Sequence, residues 1–145
     1  MREILFRAYQ KNFKRMLPVD SIEYNNNEIR SITVDNRGLK GNYSVIPTYS
    51  IYSKDSLDFP LDSLILIQYI GLKDRNKVEI FEGDICIRLD IENYPRPLVV
   101  EWVEECACFS FVDVNDYHKN YFFQKQDMDN IKVIGNIHDN KYLLK

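Results

Sequence analysis

Three groupings in the chain carry side chains that do chemistry. Cys106-Ala107-Cys108 sets two thiols two residues apart, and a strand turns positions i and i+2 to one face, where they could converge on a metal. Zinc centres space their cysteines more widely and need two further ligands. The only histidines, His118 and His138, stand in no paired motif, so no metal site is expected. Cys86, Cys106 and Cys108 read instead as reduced, inert thiols. Asp84 and Glu101 would form an acid–base pair if their strands were neighbours, given a pocket and one raised pKa. The simpler reading of Glu82-Gly83-Asp84 is a tight turn, with Gly83 at positive φ and Asp84 capping the bend. The chain has no G-x-S-x-G, P-loop, G-x-G-x-x-G or H-E-x-x-H pattern. No catalytic residue and no cofactor are expected.

Contact chemistry is better represented. Trp102 is the sole tryptophan, and it reads first as core; the alternative is a surface ring for peptide or base stacking. Tyr121-Phe122-Phe123 cannot all point inward from a strand, so this island is the expected interface. Charge is uneven. Residues 1–16 hold five basic side chains, Arg2, Arg7 and Lys11 among them, against one acidic, for +4. Residues 82–118 hold nine acidic against two basic, for −7. The overall −3 therefore does not describe a polycation that coats nucleic acid.

The elements that must position these groups are strands. Ten Tyr, eight Phe and sixteen Ile against two Ala favour a pleated, half-buried surface over helices. Alternation predicts a strand over Glu3–Tyr9, closed by Met16-Leu17-Pro18, and a second over Val19–Tyr24. Asn25-Asn26-Asn27 then predicts a turn into a third strand, Ile29–Val34. Asp35–Pro60 is turn-rich and reads as a variable insertion with irregular or edge strands at Tyr43–Ile46 and Thr48–Tyr52; Leu57–Leu64 suggests a helical turn. Strands follow at Leu64–Ile70 (ending at Gly71), Val78–Phe81, Ile85–Ile91, Leu98–Val103, Cys106–Val114 and Lys132–Ile137, with a helical tail over Asp139–Lys145. Phe109 and Phe111 share a face and are expected in the core. No apolar stretch follows the first charges, and the longest apolar run, Leu64–Ile67, is far short of a membrane span. Neither a secretory leader nor a membrane partner is expected.

Several of these segments resemble the YopX family. The opening Met1-Arg2-Glu3-Ile4-Leu5-Phe6-Arg7-Ala8-Tyr9 is similar to its M-R-E-I-K-F-R-A-W start. Leu66-Ile67-Gln68-Tyr69-Ile70-Gly71-Leu72-Lys73-Asp74 resembles L-M-Q-Y-T-G-L-K-D, and Glu79-Ile80-Phe81-Glu82-Gly83-Asp84-Ile85 resembles E-I-Y-E-G-D-I. Val99-Val100-Glu101-Trp102 and Val133-Ile134-Gly135-Asn136-Ile137 are similar to the V-V-E-W and V-I-G-N-I blocks. All five occur in the family's order. Lys77 stands where the family usually has the Gly of an Asn-Gly turn, Leu5 replaces a Lys and Tyr9 a Trp. The resemblance implies a bacteriophage or prophage protein acting in the cytoplasm of the host cell, with no known enzymatic activity.

The expected architecture is mainly β: an N-terminal β subdomain (1–70) with its insertion at 35–60, and a small SH3-like β-barrel (71–145), folding as one cooperative unit. The family-motif turns centre on Gly71, Lys73, Asp74, Glu82, Gly83, Asp84, Gly135 and Asn136. The expected role is a non-enzymatic protein–protein interaction module, with a host or phage protein as partner and a homo-oligomer possible. Its contact residues would be Trp102, Tyr121, Phe122 and Phe123. The alternative is nucleic-acid binding through Arg2, Arg7 and Lys11.

Overall fold

The structure is a computed structural model describing residues 3–37, 48–90, 96–116 and 119–145. It is mainly β, with antiparallel pairing throughout its named strands. The chain divides into two compact units, Leu5–Ile67 and Met1–Ile4 with Gln68–Lys145.

The first unit carries β1 (Phe6–Gln10), β2 (Arg15–Asn25), β3 (Glu28–Asp35), β4 (Tyr49–Ser53) and the start of β5 (Leu64–Lys73), in the sheet order β4-β3-β2-β1-β5. Asn26 and Asn27 both take positive φ (48° and 65°) between the paired residues Asn25 and Glu28. Two left-handed central residues match the twist of the flanking strands, which is why the Asn run folds as a two-residue hairpin. Pro18 does not close the first segment as expected. It lies inside β2 opposite Arg7, exposed, and next to a register shift between Val19 and Ser21. A bulge and an exposed position absorb the missing N–H donor of proline. Ala8, Leu17, Ile32, Val34, Tyr52 and Leu64 form the core, and Phe59 meets the Tyr52 ring edge-on at 5.3 Å. A 3-10 turn at Leu61–Ser63 stands where a helical turn was expected. Tyr43–Ile46 lies outside the described residues.

In the second unit β5 continues through Gly71 instead of ending there. Gly71 has φ 89°, and the register with β6 (Glu79–Phe81) shifts between Tyr69 and Lys73. Glycine thus supplies a bulge rather than a stop. The remaining strands are β7 (Asp84–Arg88), β8 (Leu98–Val103), β9 (Cys108–Asp113), β10 (Asn120–Tyr121) and β11 (Ile131–Asn136). They form a five-stranded sheet in the order β10-β9-β8-β7-β11. Ile80, Cys86, Leu98, Val100, Phe111, Met128 and Ile131 fill its core. The chain ends in a 3-10 turn at Lys141–Leu144.

Barrel closure is the expectation that requires correction, since no closed barrel forms among the described residues. β10 is two residues long and offers little ladder. The outer edge of β11 is already occupied: Val133 N–H donates to Asp74 Oδ2 (3.0 Å), and the Ile131 carbonyl accepts from Arg75 N–H (3.0 Å). A turn, not a strand, satisfies that edge.

Candidate functional site

The motif turns of the second unit prove to be tied to one another through the backbone. Asp74 is 1% exposed, and its Oδ1 accepts from the N–H groups of Asn76 (2.8 Å) and Val78 (2.9 Å), while Oδ2 takes Val133. Gly83, at φ 75°, donates its N–H to the Val100 carbonyl (2.7 Å) and accepts at its own carbonyl from Ile137 N–H (2.9 Å). Glu82 N–H donates to the Gln68 carbonyl (2.9 Å), and Asp84 Oδ2 accepts from Phe81 N–H (2.8 Å). A Cβ on Gly83 would come within 3.2 Å of the Ile137 side chain. A Cβ on Gly135 would come within 2.6 Å of Asn140 Oδ1, the atom that accepts from Asn136 N–H. Asn136 Oδ1 in turn accepts from the N–H groups of His138 and Asp139. Lys73 meets Glu79 across the hairpin at 3.5 Å. These residues hold backbone; their polar atoms are engaged in building turns.

The proposed Asp84–Glu101 pair takes a different form. Asp84 is 2% exposed and bound into its turn, whereas Glu101 is exposed on β8. The carboxylate that feels Glu101 is Glu82. Burial pushes the Glu82 carboxyl above its ordinary range, the charge of Glu101 adds to the rise, and a backbone hydrogen bond from Gln68 opposes it. The Gly83–Val100 bond brings this turn onto β8, a long-range contact that spacing alone does not reveal. Among the described residues no group of three or more His, Cys, Asp or Glu is arranged to hold a metal. His118 lies outside the described residues. Cys86 is fully buried, and that burial drives its thiol well above the normal range, with the charges of Asp84 and Asp74 adding to the effect.

The aromatic residues form the other assembly. Trp102 pairs with Phe109 across β8 and β9, and their rings meet edge-on at 5.1 Å. Trp102 is nonetheless 46% exposed, which corrects the reading of it as core. It shares a face with the buried Leu98 and Val100, but it lies at the far end of β8, next to the exposed Glu101 and one residue short of the strand's end at Val103. Phe109 is half-buried and Phe111 2% exposed, so the row grades from open ring to core. Phe123 meets Phe111 at 4.9 Å and stacks on Tyr121 at 5.9 Å, with Arg88 over its ring at 5.3 Å. Phe122, between them, is 54% exposed. The island thus divides into two rings packed against the core and one turned outward.

The basic arm offers less open charge. Arg2 lies outside the described residues, Arg7 is half-buried in β1, and Lys11 Nζ donates to the Asp62 carbonyl at 2.5 Å. An open polar groove in the first unit is lined by Asn25, Glu28, Arg30, Lys54 and Asp55; there Lys54 pairs with Glu28 and holds that carboxyl below its ordinary range. Among the described residues no helix is long and apolar enough to cross a membrane.

Comparison with known proteins adds three findings. The family model described as "YopX protein" matches residues 5–145. No curated protein matches the chain. Among solved structures, the crystal structure of protein EF1440 from Enterococcus faecalis is similar over 100% of both chains, with 25% sequence identity and a TM-score of 0.62.

Proposed function

The chain belongs to the YopX family, and from that premise we propose that it acts without catalysis, as a protein-contact module of a phage or prophage inside its bacterial host. Its contact surface is the open end of the β8–β9 hairpin. The observation that carries this reading is the exposed Trp102 ring, braced edge-on by Phe109. A rigid, half-solvated indole is the type of anchor that dominates interface energetics.

Charge defines the partner. Glu101, Glu104 and Glu105, close to Trp102 along the chain, are exposed, and residues 97–116 include no Lys or Arg. An acidic hairpin end that also carries an aromatic anchor complements a protein segment bearing Arg or Lys, whose guanidinium or ammonium can lie on the indole face. The same acidic excess repels phosphates, which counts against nucleic acid at this surface.

The test is a pull-down from lysogenic host cells, with and without nuclease, using the wild-type chain, Trp102→Ala, and the double variant Glu104→Gln/Glu105→Gln. The expected result is a partner retained after nuclease treatment and lost with either variant. Equal retention by both variants, or retention that nuclease abolishes, contradicts the reading.

A further inference from the structure

In the first unit β4 (Tyr49–Ser53) ends its sheet, paired on one side with β3. Successive residues of a strand address opposite edges with their backbone groups. The Thr48 carbonyl accepts from Asn36 N–H (2.9 Å), beyond the end of β3, so Thr48, Ser50 and Tyr52 address β3. Tyr49, Ile51 and Ser53 therefore address the outer edge. Ser53 is already satisfied there, because its N–H donates to the Phe59 carbonyl (3.1 Å) and its carbonyl accepts from Ser56 N–H (3.4 Å). Among the described residues β4 pairs with no other strand, which leaves the N–H and carbonyl of Tyr49 and of Ile51 facing outward without a ladder.

Edge strands are normally protected by a charge, a proline or a bulge. β4 has none of these. Thr48-Tyr49-Ser50-Ile51-Tyr52-Ser53 carries no charged residue and no Pro, and its register with β3 runs from Ser31–Ser53 to Asp35–Tyr49 without a shift. The flanking charges are spent locally, Lys54 on Glu28 and Arg37 on Asp35. The side chains that share the face away from the core are also apolar, with Ile51 59% and Tyr49 40% exposed, while Ser50 and Tyr52 turn inward. The Arg37 guanidinium lies over the Tyr49 ring at 5.4 Å and restrains it.

We propose that β4 is a self-association edge, pairing antiparallel with β4 of a second copy of this chain so that Tyr49 lies opposite Ile51 of the partner subunit. A two-fold axis beside Ser50 places both such pairs at once. In an antiparallel ladder each hydrogen-bonded pair exchanges both N–H···O bonds, so this register satisfies every outward group of Tyr49 and Ile51 in both copies. It also sets an aromatic ring against a β-branched side chain twice, a favourable cross-strand pair. The register centred on Ile51 instead sets Tyr49 against Ser53, whose groups the Ser56–Phe59 turn already holds. A second copy is favoured over a foreign strand because an uncharged edge offers nothing to select a charged partner, whereas it meets its own copy without like-charge repulsion. The ladder is short, so the dimer is weak and concentration-dependent.

Sedimentation equilibrium of the full chain, from micromolar to millimolar concentration, tests this with wild type, Ile51→Lys, Ile51→Glu and an equal mixture of the two variants. The Ile51 side chain faces solvent, so both variants should keep the urea midpoint near that of wild type. Wild type should pass from monomer to dimer. Each variant alone should dimerise about 10-fold more weakly or worse, because symmetry places the new charge in the interface twice. The mixture should recover association, since position 51 lies diagonally across from its copy, within reach of long side chains; that recovery also shows that both variants are folded. A wild-type chain that stays monomeric throughout overturns the proposal and leaves the edge to a strand of another protein. Equal association by Ile51→Lys, or a mixture no better than either variant alone, overturns it as well.

Discussion

Asp74 Oδ2 accepts a hydrogen bond from the Val133 N–H at 3.0 Å, joining residues 59 positions apart. The same carboxylate holds the turn between β5 and β6 through Asn76 and Val78. One buried side chain therefore both shapes a hairpin and closes the edge of β11.

Asp74→Ala leaves three backbone N–H groups without their acceptor. Bonds to a charged acceptor contribute about 1.5–3 kcal/mol, and buried donors left unpaired cost their full desolvation. The expected loss is about 3 kcal/mol, with Asp74→Asn milder because it keeps one acceptor oxygen. Urea unfolding of both variants checks this; an unchanged midpoint for Asp74→Ala contradicts it.

Lys77 takes φ 65° in that turn, and its N–H donates to the Asp74 carbonyl at 2.9 Å. A left-handed L-residue costs about 1–2 kcal/mol, and glycine returns roughly half of the gain as unfolded-state entropy. Lys77→Gly should therefore stabilise the chain by about 0.5–1 kcal/mol, read as a higher urea midpoint at unchanged slope. A lower midpoint would show that the Lys77 side chain contributes more than its backbone costs.

Glu82 gives the pH dependence. Burial raises its folded-state pKa above the ordinary 4.5, and Glu101 raises it further. The folded state therefore binds a proton more tightly than the unfolded chain. Its contribution to stability is full below the unfolded pKa and is lost as pH rises through the folded one. Glu82→Gln removes that titration. Its stability advantage over wild type should be present near neutrality and shrink as pH falls from about 7 to 4.5. Paired urea melts across this range test the sign; an advantage that grows on acidification contradicts it.

Local signals in the sequence carried much of this fold. β8 spans the expected Leu98–Val103 because its alternation is framed by Pro97 and an acidic break. The Asn25–Asn27 turn was legible because asparagine tolerates the left-handed region. What escaped depended on partners distant in the chain. Pro18 reads locally as a terminator, yet a bulge and an exposed position let it stay inside β2. A closed barrel was a reasonable reading of short, closely spaced strands, but Asp74 and Arg75 occupy the edge that closure needs. Trp102 lies in the right phase for the core, and only its distance along β8 from that core exposes it. The island at 121–123 divides as alternation requires, with Phe122 outward.

The central claim is that the motif turns hold the fold while the hairpin end makes the contact. Its most direct test is the dissociation constant of the nuclease-resistant complex for wild type and Trp102→Ala, each measured beside its urea midpoint. The account predicts binding weakened by roughly 30-fold, as truncating an aromatic anchor costs about 2 kcal/mol or more, with a stability change near 1 kcal/mol or less for a half-exposed ring. Unchanged binding by a folded Trp102→Ala chain would contradict it.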